Sequence, residues 1–270
     1  MNEYLTAHIP DVDAYLERIG VERQEELNLE YLDKLVCGHL MNVPFENLNL
    51  IRLHKPISLG IEDLYQKIVV EKRGGYCFEM NGLFTRLLQD LGFDAWSVRA
   101  RVGRPDPNVW SPCTHRGVIV RLPEGLHYCD VGFGGPMPAG AIRVEDGADK
   151  YALSEHYRIR RFDDYWWVLK RVTETADPET GALVEEESNV VRFYLMPQEN
   201  DDFLVPSYFC SANPESVFCK TYFLNRRVPG GHVSLMDDTL TIARDGEKEI
   251  IKVPQDQMNQ VLEEHFGLVL

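Results

Sequence analysis

Three residues have the types and spacing that nucleophilic catalysis requires: Cys77, His115 and Asp130. Cys77 follows Arg73-Gly74-Gly75-Tyr76, which reads as a flexible, cationic turn, and it precedes an apolar helical stripe. The sulfur is therefore expected at a helix N-terminus. There the unpaired backbone N–H groups and the positive end of the helix dipole favour a thiolate, the nucleophilic form of cysteine. The plain alternative is a buried cysteine packing as a small hydrophobe, and the local context weighs against it. A thiolate catalyst needs a base, and the base needs an orienting group. Leu122-Pro123-Glu124-Gly125 reads as a hairpin turn whose arms carry His115 and Asp130 near their outer ends. With Arg121 facing Leu126, Gly117 faces Asp130. His115 is then the diagonal neighbour on the same face, about 7–8 Å away along the backbone and within reach of long side chains. A slip of one residue would put the two on opposite faces.

The run Val131-Gly132-Phe133-Gly134-Gly135-Pro136 follows directly on Asp130. Gly132 and Gly134 either let backbone approach a bound ligand closely or simply end the strand. No strand-turn-helix unit surrounds them, which excludes a dinucleotide fingerprint and a nicotinamide cofactor. No metal is expected: the six cysteines include no Cys-x-x-Cys pair, and Cys113 and His115 lack further ligands at metal spacing. The cysteines are read as free thiols of a reducing compartment.

The elements that must position these residues follow from periodicity. Leu29, Leu32, Leu35, Val36, His39 and Leu40 fall at helical spacing, with Pro44 limiting the helix. Ile61, Leu64, Ile68 and Val69 repeat the pattern, and a third stripe runs from Cys77 to Gly92, a C-cap glycine. Strand-like runs follow at 95–102, 116–122, 126–131, 151–162, 165–171 and 190–196. The stretch 173–188, rich in Glu, Thr and Asp, reads as a solvated hairpin loop. Strand signals at 235–243 and 249–253 and a closing amphipathic helix at 255–266 complete the chain. A formal charge of −15 argues against broad nucleic-acid or anionic-membrane binding. The first ten residues lack a secretory signal pattern and no apolar run is long enough to span a bilayer, so a cytoplasmic protein is expected.

Arg73-Gly74-Gly75-Tyr76-Cys77-Phe78-Glu79, preceded by Val43-Pro44-Phe45-Glu46-Asn47-Leu48 and followed by Thr114-His115 and Asp130-Val131-Gly132-Phe133-Gly134, resembles the arylamine N-acetyltransferase family. Asn213-Pro214-Glu215-Ser216-Val217-Phe218 is similar to a further motif of that family. The resemblance implies a three-part α+β fold: a helical bundle over 1–92 with the nucleophile, an antiparallel β-barrel over 93–203 with His and Asp, and an α/β lid over 204–270. It implies a Cys-His-Asp triad arranged as in thiol proteases and transglutaminases, and ping-pong transfer from acetyl-coenzyme A with no permanently bound cofactor. Cys77 would be the acyl-accepting nucleophile, His115 its base and Asp130 the orienting group. Phe45, Val102, Thr114, Phe133 and Phe218 match positions that line the acceptor pocket, and Gly132 and Gly134 would approach the coenzyme. Arg116-Gly117 departs from the apolar residues often found after the histidine.

The expected acceptors are arylamines and aryl hydrazines. They are unprotonated at neutral pH, so the base need only collect the proton released on attack. A phenylalanine-lined pocket would exclude water and hold a flat ring. Lys72, Arg73, Arg226 and Arg227 are local cations for the coenzyme's phosphates. Competing readings are an amide synthase of the same fold acting on carrier-bound thioesters, a transglutaminase-like thiol hydrolase, and a non-catalytic binding protein.

Overall fold

A computed structural model describes residues 3–153, 155–177 and 180–269. The helical part comprises α1 (Glu3–Thr6), α2 (Val12–Ile19), α3 (Leu29–Asn42), α4 (Leu48–Ile51), α5 (Ile61–Tyr65) and α6 (Cys77–Leu91). Caps set the boundaries. The Asn28 side chain accepts from the Tyr31 N–H at 2.9 Å to start α3, and Gly92 ends α6 in the left-handed region at φ 103°. The single helix expected over Ile61, Leu64, Ile68 and Val69 is instead α5 running on into a π-helical turn at Gln66–Val70. That wider turn carries Lys67 into the interior.

Eight strands make an antiparallel sheet: β1 (Asp94–Val102), β2 (His115–Leu122), β3 (Gly125–Cys129), β4 (Ile142–Arg143), β5 (Asp149–Ala152), β6 (Glu155–Arg161), β7 (Trp167–Ala176) and β8 (Leu183–Phe193). Their order is β4-β3-β2-β1-β8-β7-β6-β5. The two ends of that order meet, β4 against β5 and β6, so the sheet is a nearly closed barrel. Arg121 pairs with Leu126 and Leu122 with Gly125, the register expected from the turn. Both faces of β2 are buried. Val118 and Val120 join the core shared with α2, α3 and α6, while Ile119 faces the barrel interior with Val98, Ala100, Tyr128 and Phe193.

After β8 come α7 (Leu204–Ala212), α8 (Val217–Lys220), a second antiparallel sheet of β9 (Phe223–Val228), β10 (Gly231–Met236), β11 (Thr239–Arg244) and β12 (Glu247–Lys252), and α9 (Met258–Phe266). This unit has its own core of Leu224, Val233, Leu235, Leu240, Leu262 and Phe266, which also receives Leu48 from α4. The fold is thus the expected helical, barrel and α/β combination.

Three local expectations are corrected. The run 151–162 is two strands, β5 and β6, reversed at Leu153, whose φ is 49°. The run 235–243 is likewise divided between β10 and β11, with Asp237 at φ 53° in the reversal. The stretch 173–188 is mostly strand rather than loop: Thr173 pairs with Glu186 and Ala176 with Leu183. Its side chains are polar and mostly exposed, so no period-two apolar signal marks a ladder held by backbone bonds. No described helix is long and apolar enough to cross a membrane.

Candidate active site

The expected free cation of the turn before Cys77 is in fact paired. Arg73 is buried and donates to Glu46 Oε1 at 2.6 Å and to Asn49 Oδ1 at 2.8 Å. Lys67 from the π turn donates to Glu79 Oε1 at 2.7 Å and lies 3.6 Å from Glu46. Burial favours the neutral form of both acids. Lys67 and Arg73 nevertheless hold Glu46 below the usual carboxylate range, whereas Glu79, which also faces Glu46, is held above it. Gly74 is required because a Cβ there would lie 1.7 Å from the Pro44 carbonyl oxygen. The Tyr76 N–H donates to Glu79 Oε2 at 3.0 Å, which closes the first turn of α6 and places Cys77 at its first position.

His115 begins β2 opposite Ala100 on the barrel-interior face, and Asp130 lies just beyond the end of β3. His115 Nε2 and Asp130 Oδ2 are 2.6 Å apart, and the imidazole also interacts with the Cys77 sulfur. Burial alone would favour the neutral ring. The Asp130 charge and hydrogen bond, with the Cys77 sulfur, overcome it and hold the His115 pKa up at about 10. Cys77 Sγ also lies 3.9 Å from the Thr114 carbonyl oxygen.

Asp130 is almost fully buried and is held by more than its histidine. Its Oδ2 accepts from the Tyr128 hydroxyl at 2.8 Å, and its Oδ1 accepts from Asn81 Nδ2 at 2.8 Å and the Gly132 N–H at 2.9 Å. Burial and the Asp130 charge keep Tyr128 a phenol, so it remains a donor. Asn81 stands one turn after Cys77 on α6 and also donates to the Arg116 carbonyl at 2.6 Å while accepting from the Val131 N–H at 2.9 Å. It therefore locks the nucleophile's helix to both barrel strands. Neither Asn81 nor Tyr128 was singled out from the sequence. The four-residue step from Cys77 to Asn81, which puts both on one helix face, was the available signal.

The other thiols differ in kind. Burial and the charge of Cys77 push Cys210 up to about 12, and burial with Asp130 pushes Cys129 well above an ordinary thiol. Among the described residues, only Cys77 meets a histidine that is itself paired with a carboxylate.

The family profile described as N-acetyltransferase matches residues 28–270. An arylamine N-acetyltransferase of Escherichia coli (strain K12) is 31% identical over 263 residues, covering 96% of this chain and 89% of the relative. The chain belongs to the arylamine N-acetyltransferase family. Members are acyltransferases. The solved arylamine N-acetyltransferase of Salmonella typhimurium matches with a TM-score of 0.86 at 28% identity, covering 97% of this chain and 92% of that one. A Mycobacterium marinum arylamine N-acetyltransferase in complex with CoA matches with a TM-score of 0.83 at 29% identity, covering 95% of this chain and 92% of that one.

The positions that the family resemblance marks for the acceptor surround Cys77 unevenly. Phe133 packs edge-on against His115, with ring centres 5.6 Å apart. Phe45 and Phe218 form one aromatic group with Tyr76 and Phe223, the last of which the sequence did not suggest. Asn47 fixes Phe218 in place by donating to its carbonyl at 2.9 Å. Val102 is more distant in the ladder, two residues beyond the partner of His115. Gly132 packs on Cys77 itself: a Cβ there would be 2.9 Å from Cys77 Cα. Gly134, at φ 75°, packs on the Phe45 ring. Of the cations set aside for phosphate, Arg73 and Arg227 are already engaged. Arg227 is buried against Glu155 and the Met137 carbonyl. Arg116 lies over the Phe203 ring at 4.3 Å and donates to Ser97 Oγ at 2.9 Å, and burial pushes it down to about 9.

Proposed function

We propose that this protein transfers the acetyl group of acetyl-coenzyme A to arylamines and aryl hydrazines in two half-reactions through acetyl-Cys77. The observation that carries this reading is the convergence of Cys77, at the first position of α6, on a buried His115 whose Nε2 is 2.6 Å from Asp130. In the first half-reaction the Cys77 thiolate attacks the thioester carbonyl. The C–S bond to the coenzyme breaks, and the departing thiolate takes the proton of the His115 imidazolium. One thioester replaces another, so little free energy is spent. In the second, the amine nitrogen attacks the acetyl carbon, neutral His115 accepts the nitrogen's proton, and the Cys77 thiolate leaves. The Cys77 and Phe78 N–H groups open α6 before its first intrahelical bond, which the Glu79 N–H makes to the Tyr76 carbonyl at 3.0 Å, and they suit the transient oxyanion. Phe45, Phe133 and Phe218 favour a flat apolar acceptor. Gly132 and Gly134 let the chain after Asp130 pack closely on Cys77 and on the Phe45 ring, the two groups between which the acetyl group passes to the acceptor.

Initial-rate plots at several fixed acceptor concentrations are expected to be parallel, and acetylated enzyme is expected to accumulate when no amine is present. Cys77→Ala should remain folded and perform neither half-reaction. Intersecting lines, a preference for lysine-like amines, or turnover by folded Cys77→Ala would point instead to a ternary-complex acetyltransferase or a transglutaminase-like enzyme.

A further inference from the structure

In a chain of formal charge −15, three arginines cluster on one face of the barrel. Arg101 and Arg192 are cross-strand partners on β1 and β8, and Arg99 is two residues along the same face of β1. Among the described residues none of the three forms an ion pair. Arg99 donates to the Asp202 carbonyl at 2.6 Å and Arg101 to the Ser111 carbonyl at 3.0 Å, contacts that fix the guanidiniums without neutralising them. Arg192 feels the charge of Asp163 but packs against rings, its guanidinium carbon 4.8 Å from the centre of Trp110, 4.7 Å from Phe162 and 4.9 Å from Trp166. Phe162 is 52% exposed and the neighbouring Tyr165 78% exposed, so aromatic surface is open to solvent beside the cations.

This cluster is connected to the nucleophile by a short segment. Arg101 grips Ser111, the charges of Arg101, Arg99 and Arg192 reach Cys113, and the next carbonyl, that of Thr114, is 3.9 Å from Cys77 Sγ. The four residue steps from Trp110 to Thr114 span at most about 14 Å. Guanidiniums match phosphate oxygens in bidentate geometry, and purines stack on aromatic rings and on arginine planes.

We propose that Arg99, Arg101 and Arg192, with Trp110, Phe162 and Trp166, bind the phosphorylated nucleotide end of the acyl donor while its thioester end reaches Cys77. The assignment rests on acetyl-coenzyme A as donor, and it locates phosphate recognition on the barrel face instead of at Lys72, Arg73, Arg226 or Arg227. In an acidic protein such a local patch also offsets the general repulsion of a polyanionic donor.

The test is the rate of Cys77 acetylation at subsaturating donor, read by intact mass, for wild type and the Arg101→Gln/Arg192→Gln double variant. With acetyl-coenzyme A the variant is expected to be about 10- to 100-fold slower, the range for losing charged hydrogen bonds. With S-acetylpantetheine, which lacks the nucleotide, the two proteins should react alike, and this arm also reports that the variant is folded. Adenosine bisphosphate should inhibit wild type and not the variant. Equal rates with acetyl-coenzyme A, or equal losses with both donors, would overturn the assignment. Wild type that is acetylated by neither donor would overturn the acyltransfer reading itself.

Discussion

Replacing Asp130 by asparagine removes a charge while keeping the size of the side chain, and it tests what holds the His115 proton. The gap between about 10 and the ordinary 6.5 is worth about 5 kcal/mol in favour of the imidazolium. Burial acts against the charged ring, so Asp130 and the Cys77 sulfur together supply at least that much. In Asp130→Asn the carboxylate's share disappears and burial does not, which lowers the ring's pKa and shifts it toward the neutral form at pH 7. The neighbouring sulfur then loses the cation that stabilises its thiolate. Iodoacetamide labelling followed by mass spectrometry reads this directly. Wild-type Cys77 should be labelled readily at about pH 6 beside its imidazolium, and the variant at least 10-fold more slowly at the same pH. The whole gap, about 5 kcal/mol, sets a ceiling of several-thousand-fold on the accompanying loss of turnover. A variant that labels within about two-fold of wild type at about pH 6, with an unchanged circular dichroism spectrum, would refute the argument that the carboxylate's charge sustains the ion pair.

His39 is fully buried, its Nε2 2.9 Å from the Tyr15 hydroxyl, and burial followed by the Arg18 charge pushes its pKa down to about 3. Below pH 6.5 the unfolded chain binds a proton that the folded chain refuses, so stability should fall with acid by about 2 kcal/mol at pH 5, and urea midpoints should show that part of the loss absent in His39→Gln. Gly132→Ala should lower the rate of Cys77 acetylation more than it lowers the melting temperature, since the new methyl must push on Cys77 Cα from 2.9 Å; unchanged acetylation kinetics would show that the contact is slack. Phe133→Ala should cost aryl acceptors about 1–3 kcal/mol in kcat/KM through the lost ring, with a smaller change in acetylation by the donor. Equal losses in both half-reactions would mean that Phe133 acts through His115 alone.

The parts of the site that were legible in the sequence are those set by local chemistry. Pro123-Glu124 fixes a turn, the turn fixes Arg121 opposite Leu126, and that register carries His115 and Asp130 to the same region. The start of α6 follows from a glycine pair and its end from Gly92. What was missed is made by residues far apart in the chain. Arg73 reads as a free cation beside the nucleophile until Glu46, a whole helix and turn earlier in the chain, is seen to take it up. Tyr128 looks like an ordinary barrel residue until its hydroxyl is found on Asp130, and nothing in the composition of 173–188 distinguishes a paired polar ladder from a loop. Charge and periodicity reveal a side chain's character but not its partner.

Asn81 makes the reactive pair conditional on a seam. The sulfur belongs to α6, the imidazole and carboxylate to the barrel, and one amide side chain spans the gap with hydrogen bonds to Asp130, the Arg116 carbonyl and the Val131 N–H. Neither side carries a competent thiolate by itself. Val118 and Val120 of the barrel share one buried core with Phe84, Leu87 and Leu88 of α6, so the same packing that holds the core also holds the sulfur against the imidazole. Thiol labelling of Cys77 is in this sense expected to gauge how tightly the two layers are pressed together.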